Sequence, residues 1–326
     1  MIIDFHNHFY PRSYLDSLDK GRFNTWTEKD SNGQLLLKTD TFQNELVPAH
    51  HDPQLRIAEM DKHGVDVQVL SPTIPGVHHE DVANGVQMAQ MFNDSLSAVI
   101  QDRPSRFAGL AILPLQDPLA AVVELERAVT ELGLRGGTLF THINGNQLDD
   151  AAYWPIYEKA IELDVPLWMH PTVPEHVGGM ADYSIVVVAG FMHETTVAIC
   201  RLIYSGVLER YAGLKLVVGQ MGGTLPFLAE RIERGYEVYP ECRENLSTSP
   251  TTLLKRLYMD TTPFTPNAIK FAADFVGCDQ ILMGSDFPQG IGDTAGALSA
   301  IRELPFSAED KQKMLGGNAV RLLKLG

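Results

Sequence analysis

Eight short apolar runs, rich in β-branched residues, recur along the whole chain and constrain its fold more than any other feature. Several of them are continuously apolar rather than alternating, which is typical of parallel strands that are covered on both faces. Most of the intervening segments have the pattern of amphipathic helices, as in residues 81–101 and 117–132. The eight predicted strands are residues 1–6, 65–72, 107–114, 134–141, 165–171, 214–220, 257–262 and 281–288.

Eight strands that alternate with helices predict an α/β fold in which a parallel sheet closes into a (β/α)8 TIM barrel. A doubly wound open sheet is the alternative, but no GxGxxG motif follows the first strand. The length of 326 residues suits a single barrel domain over residues 1–326. The content of 44% hydrophobic and 21% charged residues is that of a globular protein.

Residues from about 10 to 50 do not fit this alternation and form an insertion after strand one. Within the insertion, WTEKDSNGQLLLKTD predicts a small β-hairpin that turns at Asp30-Ser31-Asn32-Gly33. An insertion directly after strand one lies at the C-terminal mouth of a barrel, where loops shape active sites. We interpret it as a lid or a partner contact, with a loop of no function as the alternative.

The overall charge and the cysteine content limit the partners and the compartment. A net charge of -15 disfavours nucleic acid, whose binding depends on basic surfaces. Cys200, Cys242 and Cys278 match neither a zinc spacing nor a disulfide framework, which favours a reducing compartment. The N-terminus lacks the features of a signal peptide, and no apolar run approaches the ~20 residues of a membrane helix. These features predict a cytoplasmic protein with no nucleic-acid partner and no membrane partner.

Four polar residues lie at the C-terminal ends of predicted strands, where barrel enzymes place their active sites. His6 and His8 are two residues apart in strand one, so they share a face and can bind one ion at ~2.0–2.1 Å. His170 ends strand five and Asp286 ends strand eight. Each alone suits a structural hydrogen bond, but together they predict a site for one divalent ion. Three histidines and one carboxylate favour zinc, with manganese, iron or cobalt as alternatives.

Eight longer stretches of the sequence, taken in chain order, also match a known sequence pattern. In chain order they are DFHNHFYP, DPQLRIAEMDKHGVDVQVLSP, RFAGLAILPLQDP, GLRGGTLFTHING, ETTVAICRLIYSGVLERYAGLKLVV, GGTLPFLAERIERGY, MGSDFP and GGNAVRLL. Over nearly the whole chain this series resembles the amidohydrolase superfamily, in the branch of aminocarboxymuconate-semialdehyde decarboxylase and related aromatic-acid decarboxylases. The resemblance implies a metal-dependent enzyme that decarboxylates a small carboxylated acid, aromatic or muconate-like, without oxidation.

The resemblance also assigns roles to individual residues. The four predicted ion-binding residues match the family's metal ligands, and Asp286 among them is the candidate catalytic residue. Arg56 and Arg231 fall where the decarboxylase holds its substrate's carboxylates, and there the second arginine comes from the neighbouring subunit. This implies a small anionic organic substrate and a homodimer. The alternative is that both arginines form surface ion pairs, Arg231 with Glu230 or Glu233.

One position departs from the family pattern. The family usually has a histidine at the end of strand six, in a stretch that reads His-x-Gly-Gly, whereas this chain has Gln220 there. An amide forms hydrogen bonds but does not titrate near neutrality, so Gln220 can orient a substrate but cannot act as a general base.

Three functional hypotheses therefore stay open. In the first, the enzyme is a decarboxylase in which Asp286 or another histidine carries the proton. In the second, it is a hydrolase of an amide, ester or lactone, in which a metal-bound hydroxide attacks the carbonyl carbon and Asp286 accepts the proton. In the third, it is a catalytically impaired partner subunit or binding protein that retains the fold.

Several other histidines follow predicted strands and are candidates for the missing proton carrier. These candidates are His142, His176 and His193. Two histidine doublets, His50-His51 and His78-His79, are predicted to be exposed. The second doublet follows strand two, so the alternative is that it lines the rim of the barrel mouth.

Overall fold

The computed structural model describes residues 1–40, 42–262 and 265–326 and contains all eight predicted barrel strands. Further short strands belong to the insertion and to one hairpin after the fourth barrel strand. In chain order the strands are β1 (Ile3–His8), β2 (Trp26–Lys29), β3 (Leu35–Lys38), β4 (Gln43–Leu46), β5 (Val67–Ser71), β6 (Phe107–Gly109), β7 (Gly137–Phe140), β8 (His142–Ile143), β9 (Asn146–Gln147), β10 (Leu167–His170), β11 (Leu216–Val218), β12 (Tyr258–Asp260), β13 (Ile281–Leu282) and β14 (Gly284–Phe287).

The barrel strands are parallel, and their pairings run around a complete ring. One series of pairs follows the order β14-β1-β5-β6 and a second follows β13-β12-β11-β10-β7. The two series meet at a parallel bridge between Ala111 and Gly137. They also meet at Met283, which separates β13 from β14 within one strand. The predicted (β/α)8 barrel is confirmed, and an open doubly wound sheet is wrong.

Helices follow the barrel strands and pack against the outside of the ring. Several begin at an aspartate, such as Asp52 or Asp117, whose carboxylate accepts hydrogen bonds from the first-turn N–H groups that lack a partner within the helix. The α-helices are α1 (Arg12–Asp16), α2 (Pro53–His63), α3 (Val82–Asp102), α4 (Pro118–Thr130), α5 (Trp154–Glu162), α6 (Phe191–Tyr204), α7 (Val207–Arg210), α8 (Leu225–Val238), α9 (Pro250–Leu254), α10 (Pro266–Val276), α11 (Thr294–Arg302), α12 (Ala308–Gln312) and α13 (Asn318–Leu323). Short 3-10 turns lie at Pro48–His50, Ala151–Tyr153, Gly178–Met180, Gln220–Gly222, Pro240–Cys242 and Cys278–Gln280, and π-helical turns lie at Val186–Gly190 and Lys313–Gly317.

The insertion contains an antiparallel sheet of three strands, in the order β2-β3-β4, rather than the predicted hairpin of two. The turn between β2 and β3 lies at its predicted position. Oδ1 of Asp30 stabilises this turn by accepting the N–H groups of Asn32 and Gln34, both at 2.8 Å. The third strand has the sequence QNEL, which lacks β-branched residues and gives no strand pattern. After β4 the 3-10 turn Pro48–His50 returns the chain to the barrel.

Strand β1 is irregular, and the irregularity decides where its histidines face. Its pairing shifts register between His6 and Asn7 against β14, and between Asp4 and Asn7 against β5. The rings of Phe5 and His6 consequently both lie against Trp168, with centroids at 6.4 and 4.9 Å from it. In a regular strand one of these two neighbours would face outwards. Such local shifts commonly re-aim side chains beside active sites.

One helical run is longer and more apolar than expected from the sequence. Val186–Tyr204, which joins a π-helical turn to α6, has 19 residues and a mean hydropathy of 1.5, enough by length and composition to cross a membrane. The expectation that no apolar run approaches this length was therefore wrong. Ile199, Leu202 and Ile203 of the run pack in the main core. Core helices meet the same two criteria, so the run is weak evidence for a membrane span.

A glycine of β14 makes room for a histidine of β1. Gly284 pairs with His6, and a Cβ atom at position 284 would lie 2.6 Å from the Cβ of His6. We expect Gly284→Ala to displace His6 and to lower the free energy of unfolding by about 1–3 kcal/mol, measured by urea denaturation. Gly290→Ala is the control, because a Cβ there meets nothing within 4 Å. Equal stability of the two variants would contradict this close contact.

Candidate metal centre

The side chains of His6 and His8 converge at the C-terminal end of β1. Both are buried, and their Nε2 atoms lie 3.3 Å apart. Nδ1 of His6 lies 2.7 Å from Oδ2 of Asp260, so with the proton on Nδ1 the lone pair of His6 Nε2 faces His8. If the proton of His8 is also on Nδ1, the two facing lone pairs repel each other unless a cation lies between them. The pair therefore indicates a cation site.

His170 and Asp286 complete the cluster from strands β10 and β14. A ligand nitrogen of His170 lies within 4.8 Å of those of His6 and His8. Oδ1 of Asp286 lies 3.1 Å from Nε2 of His8 and 3.7 Å from Nε2 of His6. Nδ1 of His170 lies 2.6 Å from the carbonyl oxygen of Pro171, which fixes the ring. The structure thus brings together all four residues that the sequence predicted as ligands.

The spacing of these atoms fits one ion. Two ligands at ~2.0–2.1 Å from an ion, at a tetrahedral angle to each other, lie roughly 3.3–3.4 Å apart. The separations of 3.3 Å between His6 and His8 and of 3.1 Å between His8 and Asp286 are close to this value. Three imidazoles and one carboxylate are a donor set that divalent transition metals prefer. The four residues therefore fit one divalent ion.

Asp260, at the end of β12, is a functional residue that was not predicted from the sequence. Besides contacting His6, it accepts the backbone N–H of Gln220 on Oδ1 at 2.8 Å. Burial disfavours a charge on His6, but the carboxylates of Asp260 and Asp286 outweigh burial and raise the pKa of His6 to about 9. Carboxylates in this position orient metal-binding histidines. The available signal was an acidic residue at the end of predicted strand seven, in YMDTT.

Arg56, on α2, is fully buried beside the end of β1. Its Nη1 donates to the carbonyl oxygens of His8 at 2.7 Å and Ala49 at 3.1 Å. Its Nε donates to Oε1 of Gln68 at 3.0 Å, and its Nη2 donates to Oδ1 of Asn7. Protein oxygens thus accept four of the five N–H groups of the guanidinium, and the fifth has no acceptor among the described residues. Contact of Arg56 with a carboxylate stays a prediction.

Gln220 lies two residues after the end of β11 and is buried. Its φ of 55° is in the left-handed region, and its backbone N–H is held by Asp260. Its side-chain Oε1 is buried and has no hydrogen-bond partner among the described residues. A buried acceptor without a partner suits a donor group on a ligand. The role of Gln220 in substrate binding stays a prediction that this geometry supports.

Arg231 lies on the exposed face of α8, outside the barrel. Within the described ranges its side chain forms no hydrogen bond or ion pair, and it does not contact the metal-binding residues of its own chain. The carboxylate of Glu233 instead accepts the hydroxyl of Ser249 and the N–H of Thr251, both at 2.9 Å. The alternative ion pair between Arg231 and Glu233 is therefore not formed.

Two histidines predicted to be exposed are buried. His50 and His78 each expose 1% of their surface, so the expectation of exposure was wrong for these two residues. It was right for His79, which is exposed, whereas His51 is half-buried. A loop position in the sequence does not reveal how the loop packs. Of the other candidates, His142 is buried and has both ring nitrogens in contact with backbone groups. His176 and His193 are exposed.

The Amidohydrolase family model matches residues 3–325 of this chain. The chain therefore belongs to the amidohydrolase family, as the resemblance of its sequence stretches predicted. The curated relatives that it matches over most of its length carry the names of decarboxylases. The chain is accordingly an enzyme of the decarboxylase branch of this family.

Three similar proteins illustrate the match. The 2-amino-3-carboxymuconate-6-semialdehyde decarboxylase of Dictyostelium discoideum is 31% identical over 331 residues, covering 99% of this chain and 91% of the relative. The crystal structure of 5-carboxyvanillate decarboxylase from Sphingomonas paucimobilis has a TM-score of 0.87 and 25% identity, covering 100% of this chain and 99% of that one. A dihydroxybenzoic acid decarboxylase from Polaromonas sp., solved with manganese and the inhibitor 2-nitroresorcinol, has a TM-score of 0.83 and 28% identity, covering 99% and 97%.

The contact between Asp260 and His6 can be tested through metal affinity. We expect Asp260→Asn to lower the affinity for a divalent ion by about 10- to 100-fold, because the amide no longer fixes the His6 ring as strongly. Titration of the metal-free protein by calorimetry measures the change. Asp274→Asn is the control, since Asp274 is exposed on α10 and pairs with Lys270. Unchanged affinity in Asp260→Asn would refute the orienting role.

Proposed function

We propose that the protein is a metal-dependent decarboxylase that removes carbon dioxide without oxidation from a small aromatic or muconate-like acid. The observation that carries the proposal is the convergence of His6, His8, His170 and Asp286 at the barrel mouth. The relatives support it, since they are decarboxylases of 2-amino-3-carboxymuconate-6-semialdehyde and of aromatic acids. A bound divalent ion would hold oxygens of the substrate and stabilise the electron pair that carbon dioxide leaves behind.

For the identity of the ion we propose zinc, with manganese as its rival. Three histidines and one carboxylate are a common zinc donor set. The manganese in the Polaromonas structure supports the rival, because that protein shares the fold and the reaction class. Elemental analysis of the purified protein decides between them.

The chain's own residues have distinct roles in this proposal. Asp286, the carboxylate of the cluster, carries the proton that replaces carbon dioxide on the reacting carbon. Gln220 accepts a hydrogen bond from the substrate on its free Oε1. Arg56 adds positive charge near the centre and one remaining N–H group for a substrate carboxylate.

We also propose that the protein is a homodimer in which Arg231 enters the site of the neighbouring subunit. Arg231 has no partner within the described part of its own chain, and exposed apolar side chains lie on the same helix. Phe227 is 79% exposed and Val238 is 43% exposed. Apolar residues around an arginine are typical of the centre of a protein interface.

The cytoplasm is the proposed compartment, and neither nucleic acid nor a membrane is a proposed partner. The three cysteines are free thiols, which suits a reducing environment. The net charge of -15 repels nucleic acid.

Decarboxylation is tested with acids that the relatives' names suggest. With a divalent ion restored, we expect release of carbon dioxide from 2,6-dihydroxybenzoate, 5-carboxyvanillate or 2-amino-3-carboxymuconate-6-semialdehyde, measured by coupled carbon dioxide detection. We expect the double variant His6→Ala, His8→Ala to lose the metal and this activity, because two of the four ligands are removed.

The other hypotheses predict different outcomes of the same experiment. Hydrolysis of an amide, ester or lactone without release of carbon dioxide would favour the hydrolase. Metal binding with neither activity, together with co-purification of a second chain, would favour an impaired partner subunit. Wild-type protein that takes up no metal would contradict the proposed function itself.

Mixed dimers test the placement of Arg231. We expect Arg231→Ala and His8→Ala each to be inactive alone. After mixing and subunit exchange, we expect about a quarter of the wild-type activity per chain, because half of the dimers then contain one intact site. Activity on a substrate of the parent enzyme, measured before and after exchange, gives the result.

The mixed-dimer experiment has a clear contrary outcome. If Arg231 acts within its own chain, no combination of the two variants contains an intact site, and mixing restores nothing. Analytical ultracentrifugation of the same samples confirms that dimers have formed and exchanged.

A further inference from the structure

A histidine of the insertion lies buried beside the metal centre. His50 is the last residue of the 3-10 turn Pro48–His50, with which the insertion returns to the barrel. Its carbonyl oxygen accepts the N–H of Tyr10, two residues after His8, at 2.8 Å. The two ring centroids of His50 and Tyr10 lie 6.5 Å apart. These contacts place the turn alongside the continuation of β1.

Arg56 ties this turn to the strand that carries the metal ligands. One nitrogen, Nη1, donates both to the carbonyl oxygen of Ala49, next to His50, and to that of His8. Because the guanidinium is planar and buried, it fixes the distance between these two backbone segments. The position of His50 relative to the metal centre is therefore determined by a rigid contact rather than by a free loop.

Both ring nitrogens of His50 are buried, and neither has a hydrogen-bond partner among the described residues. The carbonyl oxygen of Val47 lies near enough to raise the pKa of His50, but it is outside hydrogen-bond geometry for both ring nitrogens. Nearly all buried polar groups in proteins are paired, and an unpaired one calls for a functional explanation or a ligand. A structural histidine would have at least one partner, as His142 does.

The charges around His50 keep it neutral. Burial and the positive charge of Arg56 lower the pKa of His50 to about 4, while Asp286 acts in the opposite direction. The neighbouring His51 also lowers the pKa of His50, but less than Arg56 does. A neutral imidazole has one free lone pair, so the ring can accept a hydrogen bond from an O–H or N–H group of a ligand.

We propose that His50 contacts the substrate and exchanges a proton with its acidic substituent, the task for which Gln220 is not suited. This rests on the proposed decarboxylase function. The substrate group that His50 contacts is an O–H or N–H on the carbon next to the one that carries the carboxylate. The insertion thus contributes a catalytic residue, in a segment for which the sequence predicted no proton carrier.

The proton balance is simple. His50 takes the proton of the substituent, and the electrons of that O–H or N–H bond make the neighbouring carbon more nucleophilic. That carbon gains a proton from Asp286, its bond to the carboxylate breaks, and carbon dioxide leaves. His50 then returns its proton to the substituent, and solvent supplies the one proton that the overall reaction consumes. Nothing is oxidised or reduced.

The test uses 2-nitroresorcinol, whose ionised form absorbs visible light, on the metal-loaded protein. We expect the pH at which the bound probe ionises to rise by about one unit in His50→Gln, because glutamine accepts a hydrogen bond but not a proton. Metal content and probe affinity are measured in the same samples. His51→Gln is the matched control, since it alters the residue directly after the turn. We expect it to change the ionisation pH much less than His50→Gln does, because His51 has a smaller influence on His50 than Arg56 has.

Two results overturn the proposal: an unchanged ionisation pH in His50→Gln, or an equal change in His51→Gln. Failure of the wild-type protein to bind the probe also overturns it. The proposed function can fail independently of the role of His50. If no tested acid loses carbon dioxide but the ionisation pH still shifts, the proposed reaction is wrong and the role of His50 stands. If carbon dioxide is released but the ionisation pH does not shift, the reaction stands and the role of His50 is wrong.

The activity of the variant gives a further prediction. Once a substrate is identified, we expect kcat of His50→Gln to fall by about 100-fold or more.

His50→Leu keeps the proposal testable if the glutamine variant folds poorly. A buried histidine without hydrogen bonds does not stabilise the fold through its polar atoms, so we expect the leucine variant to have an equal or higher Tm. We also expect the bound probe to ionise at a higher pH in this variant than in the wild type. A structural role predicts a lower Tm instead. A lower Tm together with an unchanged probe ionisation overturns the proposal.

Discussion

The buried guanidinium of Arg56 is the interaction on which the metal centre depends. It binds the carbonyl oxygen of His8, the side chain of Asn7 and the carbonyl oxygen of Ala49. These acceptors belong to an irregular strand and to the end of an insertion, where no regular ladder satisfies them. Each would cost about 1–3 kcal/mol if it were left buried without a donor. One side chain therefore stabilises the conformation that directs His6 and His8 into the barrel.

A layer of polar groups beneath the ion site continues this network. Asp4 accepts the hydroxyl of Ser285 at 2.6 Å and the amide of Gln68 at 3.0 Å, and Gln68 in turn accepts from Arg56. Burial raises the pKa of Asp4 to about 6, although these hydrogen bonds and Arg56 oppose the rise. The network links β14, β1, β5 and α2, the elements that carry or adjoin the metal ligands. Hydrogen-bonded polar networks of this kind favour one arrangement of a core.

Two polar groups near the barrel mouth are buried without a hydrogen-bond partner among the described residues. One is the side-chain oxygen of Gln220, after the sixth barrel strand, and the other is the ring of His50, at the end of the insertion. Under the proposal above, a barrel loop and the insertion would each contribute one group to the substrate site. Loops at this face vary easily, because the strands beneath them carry the fold.

The sequence by itself determined the barrel and the four residues proposed as ligands. Continuous apolar runs identify parallel strands, and the C-terminal ends of such strands meet at one mouth, so the strand pattern alone places His6, His8, His170 and Asp286 together. Tertiary structure decided what the periodic pattern does not encode. The register shift in β1, the four acceptors around Arg56, the pairing of Asp260 with His6 and the burial of His50 all depend on contacts between segments that are distant in the chain. Such contacts leave no local pattern, because each residue's partner is chosen by packing and not by its neighbours in sequence.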